Sequence, residues 1–133
     1  LGALRARMAD IAAEEVPAIV LGDFNVIPED KDVWSLAAMA DDALMQPGSR
    51  DAYARLLGDG WTDAIDLHNP QGGIWTYWDY QAGAWQRDHG FRIDHALLSP
   101  ELADRLTGCG VDKAYRGREK ASDHAPVWVE VRP

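Results

Sequence analysis

The chain has 133 residues, 47% of them hydrophobic, and a formal net charge of −9 at pH 7. That length and apolar content suit one soluble domain with its own core, and no apolar run is long enough to cross a bilayer as a helix. The charge excludes a surface that is basic throughout. It leaves room for an acidic metal-centred site with a local basic rim, because a bound divalent cation reverses the sign nearby and Arg87, Arg92, Arg116, Arg118 and Lys120 lie in the last third of the chain.

In chain order, Leu4, Met8 and Ile11 recur at helical spacing, which predicts an amphipathic helix already under way at the first residue and stopped by Pro17. Ala18 to Leu21 is an unbroken apolar run that reads as a buried strand, closed by Gly22 and leaving Asp23 and Asn25 at its end. Short helices are expected over Trp34 to Met39 and Ala52 to Leu57, while Trp61 to Leu67 fits helix or loop. His68 to Gly73 is a turn, Trp75 to Trp78 has strand composition, and Asp79 to Gly90 reads as a polar loop. Phe91 to Leu98 is expected as a strand, followed by a helix over Glu101 to Leu106 and strands over Cys109 to Tyr115 and Val127 to Val131. No repeat or linker divides the chain, so one domain is expected. The single Cys109 has no internal partner and no charged-then-apolar leader precedes the first residues, which makes a reducing cytoplasm the expected compartment.

Three separated motifs carry the chemistry: Gly22-Asp23-Phe24-Asn25, Arg92-Ile93-Asp94-His95 and Ser122-Asp123-His124-Ala125-Pro126. Asp23 and Asn25 are two apart, so at an extended strand end both side chains face one way; the competing use is an Asx turn closing the strand. Asp94 sits among apolar neighbours and needs a partner, either a histidine whose tautomer it fixes or Arg92 at a spacing of two on the same face. His95 points to the opposite face and reads as a packed histidine. His124 precedes an apolar strand and can meet Asp94 from a neighbouring one, a pairing able to activate water or steady a charged phosphate.

With Trp75-Thr76-Tyr77-Trp78-Asp79-Tyr80 between the first two motifs and Ala125-Pro126-Val127-Trp128 closing the last, the chain resembles the exodeoxyribonuclease III branch of the endonuclease/exonuclease/phosphatase superfamily. The resemblance covers nearly the whole chain but only the C-terminal half of the family's domain. It implies an α/β (α+β) fold, half of a four-layer αββα sandwich with a largely antiparallel mixed sheet. It further implies a Mg2+-dependent (or Mn2+-dependent) phosphodiesterase acting on double-stranded DNA at abasic sites and 3′ ends. RNA, a phosphoinositide or sphingomyelin is the alternative substrate within the superfamily, and a non-catalytic DNA- or partner-binding half the alternative outside it.

Carried over residue by residue, the resemblance makes Asp23, Asn25, Asp94 and His124 catalytic, with either Asp23 or His124 as the base. Asp123 and Asp23 would belong to the metal site. Tyr77, Phe91 and Ile93 would form the apolar pocket for a flipped-out abasic sugar, with Arg92 also on the substrate; core packing is the competing use of the three apolar residues. The family's N-terminal half would bring a metal-ligating Glu, an Asn-bearing strand and a Tyr, none of which is among these residues. This chain alone is therefore expected to be inactive and to expose the sheet face that packs against the missing half.

Overall fold

A computed structural model describes all 133 residues. Its centre is strand β3 (Asp94–Leu98), flanked by β1 (Ile19–Asp23) and β2 (Thr62–Asp63), both antiparallel to it. Strands β4 (Leu106–Val111) and β5 (Val127–Val131) form a second, two-stranded antiparallel sheet. The fold is thus α/β with antiparallel sheets, a partial sandwich.

The alternation of side chains along β3 explains the layers. Leu97 faces helices α1 (Gly2–Ala13) and α3 (Pro47–Gly58), where it joins a core of Met8, Phe24, Val26, Tyr53, Leu56 and Trp61. Ala96 and Leu98 face the other way and pack with Ala64 of α4 (Ala64–His68), Leu102 of α6 (Pro100–Ala103), and partly buried Cys109, Val127 and Val129. Four residues of β3 are buried because both faces are covered, which is why that segment reads as an apolar run. At the edges the cover is incomplete: β1, expected from its apolar run to be buried, is an edge strand whose Ile19 and Leu21 are exposed, and Trp128 and Val131 are exposed as well.

Most expected elements form, with bounds that move for identifiable reasons. The expected strand from Phe91 begins only at Asp94, because the hydroxyl oxygen of Thr76 accepts from both the Ile93 and Asp94 N–H groups (3.0 and 3.1 Å) in place of a ladder partner. Phe91 instead makes single bridges to Val33 and Tyr77, and the expected Trp75 to Trp78 strand is reduced to the bridges of Tyr77 with Phe91 and His124. The last strand is found as expected. The helix after Pro100 stops at Ala103 because the chain must enter β4 at Leu106, opposite Val131; β4 then ends at Val111, and Lys113–Gly117 is a 3₁₀ turn rather than strand. The ambiguous Trp61 to Leu67 stretch holds β2 and most of α4, which runs on to His68, a residue expected in the following turn. Within the polar loop a short helix, α5 (Ala84–Arg87), is bracketed by left-handed Gly83 and Asp88. Helix α2 (Leu36–Met39) is capped by the Ser35 hydroxyl.

Candidate active site

The site is assembled by strand register. In the β1–β3 pairing Asp23 lies directly opposite Asp94, so the two carboxylates emerge side by side where both strands end or begin. Like charges placed opposite each other destabilise a sheet, and such pairs persist where another group or a ligand compensates. His124 is that group here. It is delivered by the segment before β5, which is tied to the Thr76 to Trp78 segment: Ala125 N–H donates to the Thr76 carbonyl oxygen (2.8 Å) and Trp78 N–H to that of Asp123 (2.9 Å).

Asp94 Oδ2 accepts a hydrogen bond from Nδ1 of His124 at 2.7 Å. A carboxylate can only accept, so Nδ1 carries the proton and the other nitrogen is left free to work. Nε2 lies 3.8 Å from both Asp23 Oδ2 and Asp123 Oδ1. The imidazole and the Tyr77 ring also meet at a steep angle of 74°, with centroids 5.1 Å apart. The expected Asp94–His124 pairing is therefore present, and Asp94 has no part in an ion pair with Arg92.

Both readings of Asp23 and Asn25 hold at once. Asp23 Oδ1 accepts from the Asn25 N–H at 2.8 Å, an Asx turn in which Asn25 adopts a left-handed φ of 51°. This turn, rather than strand alternation, sends both exposed side chains to the same cavity. That cavity has a volume of about 500 Å3 and is lined by Asp23, Asn25 and His124 together with Tyr77, Phe91 and Ile93. The last three also pack: Phe91 and Ile93 belong to a small core with Ile27 and Val33, and Tyr77 lies against Phe91 with ring centroids 4.7 Å apart. Pocket and core uses thus coincide. Trp34, Met39, Leu44 and His89 line the same cavity and were not singled out from sequence. Only their shared position around the cavity reveals them.

Of the remaining expected site residues, Arg92 stands elsewhere and Asp123 lies at the rim. Arg92 does not reach the cavity: it is 1% exposed, and its guanidinium donates to Asp32 (3.0 Å) and to both oxygens of Asp63 (3.0 Å). It also donates to Nδ1 of His95 at 3.1 Å. Strand alternation places Arg92 on the face of Asp94, but the two hydrogen bonds that the Thr76 hydroxyl oxygen accepts from the Ile93 and Asp94 N–H groups break the pleat, and Arg92 lies on the side of His95. Asp123 stays at the rim. The donor atoms that come within 4.8 Å of one another are those of Asp23, Asp94 and His124, and Asp123 is not among them.

That donor set suits a hard divalent cation through its two carboxylates, since one oxygen of each is free of the hydrogen bonds already described. The buried network on the other side of β3 is different in kind. His95 donates from Nε2 to the Val26 carbonyl oxygen (2.9 Å), and burial, helped by the charge of Arg92, lowers its pKa to about 4. Burial acts to raise the Asp63 carboxyl, but Arg92 prevails and it titrates below the usual range; burial leaves that of Asp32 raised.

Comparison with known proteins gives the family and the fold. Residues 1–124 match the model of the Endonuclease/Exonuclease/phosphatase family, and the chain belongs to that family. Exodeoxyribonuclease III of Haemophilus influenzae is 32% identical over 126 residues, which are 87% of this chain and 46% of that protein. The solved 3′ phosphatase NExo from Neisseria, bound to a product DNA hairpin, superposes with a TM-score of 0.95 at 34% identity, covering 98% of this chain and 51% of that one. An AP endonuclease from Archaeoglobus fulgidus gives a TM-score of 0.83 at 35% identity over 88% of this chain and 46% of its own. The chain spans about half the length of the relatives it matches.

Proposed function

We propose that the intact protein is a Mg2+-dependent DNA-repair phosphodiesterase of the exodeoxyribonuclease III type, removing 3′ nucleotides or blocking groups and cleaving at abasic sites. Residues 1–133 would be the C-terminal half of its one domain, completed by an N-terminal half of the kind the twofold longer relatives have. The lone Cys109 is in keeping with a reducing, cytoplasmic setting. The observation that carries the reading is the 2.7 Å Asp94–His124 hydrogen bond set opposite Asp23 at a cavity mouth.

The chemistry follows from which atoms are free. With Nδ1–H held by Asp94, Nε2 of His124 is the proton acceptor facing the cavity, and Asp94 stabilises the imidazolium that forms. Asp23 Oδ2 and the Asn25 amide orient the attacking water and a phosphate oxygen. The water oxygen bonds to phosphorus, its proton passes to Nε2, and the bond to the leaving oxygen breaks. The imidazolium then faces the charge gathering on the phosphate. Asp23 and Asp94 would hold the divalent ion, Mg2+ or Mn2+, with Asp123 at the margin; when bound it supplies Lewis-acid stabilisation of the phosphoryl oxygens.

The test is cleavage of an abasic-site duplex and of a recessed 3′ end by the full-length protein. Activity with Mg2+ that EDTA abolishes is expected, and full activity in EDTA would refute the metal assignment. The 133-residue chain alone should cleave little, because two carboxylates hold such an ion weakly.

A further inference from the structure

The cavity contains an aromatic pair that the phosphate chemistry does not use. Trp34 and His89 are stacked, with ring centroids 3.6 Å apart and planes within 4° of parallel, and both line the cavity that holds His124. The backbone builds the pair. Val33 bridges Phe91, and the Trp34 N–H donates to the Gly90 carbonyl oxygen at 3.1 Å, so two segments run side by side and bring the rings together. Gly90 in turn lets the Trp75 to Tyr77 segment pass close to it, since a Cβ there would meet the Trp75 side chain and the Tyr77 carbonyl oxygen at 2.8 Å. The rings are not consumed by the core: Trp34 is 36% exposed and His89 is half-buried.

A flat π surface open to a cavity recognises another flat π system. A deoxyribose ring is puckered and saturated and gains only apolar contact, which Tyr77, Phe91 and Ile93 already supply. A nucleobase stacks on such a surface whatever its identity, because every base has a π face. Asp79 and Gln81 line the same cavity and offer polar groups for a base edge.

We propose that the Trp34–His89 stack is a nucleobase platform, holding the base of the nucleotide whose phosphate lies at His124. It rests on the phosphodiesterase reading and deepens it: the pocket takes base-bearing 3′-terminal nucleotides as well as base-free sugars, and Trp34 sets the preference between them.

The experiment is steady-state kinetics of the full-length protein on two duplexes of the same sequence, one ending in a normal 3′ nucleotide and one in a base-free tetrahydrofuran residue. Trp34→Ala should raise KM on the base-bearing end about tenfold, the size of one base–aromatic stack, and leave KM on the base-free end within about twofold. Trp34→Phe, which keeps a ring and cannot be confused with a folding defect, should restore KM to within about threefold of the parent. An equal rise for both substrates, or none for the base-bearing one, overturns the platform alone. Failure of the unsubstituted protein to turn over either substrate overturns the phosphodiesterase reading and the platform with it.

Discussion

Two polar clusters lie on opposite sides of β3, built from the same residue types and put to different use. On the inner side Asp32, Asp63, Arg92, Tyr53 and His95 are all buried, and the donors meet acceptors within the set or on nearby backbone: Arg92 bridges both carboxylates, and the Tyr53 hydroxyl donates to Asp63 at 2.6 Å. Asp63 also caps α4 by accepting from the Asp66 N–H. On the outer side two carboxylates face each other across a strand pair with one imidazole between them, and Nε2 of that imidazole has no partner closer than 3.8 Å. The two histidines show the difference in one atom: His95 has both nitrogens satisfied and stays neutral, whereas His124 is held at Nδ1 and open at Nε2. A cluster whose groups satisfy one another is structure; one left unsatisfied at a cavity is available for chemistry.

The comparison breaks most sharply at His124. His124→Ala in the full-length protein should lower kcat by roughly 10²- to 10⁴-fold with little change in DNA affinity, because the interaction is made mainly with the developing charge. Asp94→Asn should follow in direction. Kinetics that show a large turnover loss for His95→Ala and near-normal turnover for His124→Ala would reverse the assignment of the two clusters.

Arg92→Met should next separate them. It strands two buried carboxylates and is expected to cost about 3–5 kcal/mol in urea unfolding, while a protein still folded at low temperature keeps its Asp94–His124 chemistry. An exposed role for Arg92 on DNA would instead weaken binding without that loss of stability.

The smallest and most specific effect is on pH. The folded pKa of His95, about 4, lies below its ordinary value of 6.5. The unfolded chain therefore binds the proton more readily, and stability is lost as pH falls from about 6.5 towards 4, by on the order of 3 kcal/mol in all. Depression of the Asp63 carboxyl adds a loss at still lower pH, whereas the raised Asp32 carboxyl acts in the opposite sense. Urea unfolding from pH 4 to 7 measures the slope. A buried neutral substitute such as His95→Gln should flatten it, and an unchanged slope would mean that another group titrates there.

Much of this was legible in the residues themselves. The order of the three motifs carries the family resemblance, and the apolar runs before Gly22 and after Asp94 mark two paired strands, although only the second is buried on both faces; the first lies at the sheet edge with Ile19 and Leu21 exposed. The need of a half-buried Asp94 for a partner, and the separation of His95 from it by strand alternation, follow from local chemistry alone. What only the tertiary structure decided is who partners whom. Arg92 and Asp94 are two apart in sequence, yet a threonine from another segment, Thr76, breaks the strand between them and sends Arg92 inward to carboxylates 29 and 60 residues away. The Trp34–His89 stack joins residues that no local pattern connects, and it exists because Val33 and Phe91 pair across the fold. Alternation and composition are properties of one segment, whereas ion pairing and ring stacking need two, and the distance between two segments is set by the packing of everything else.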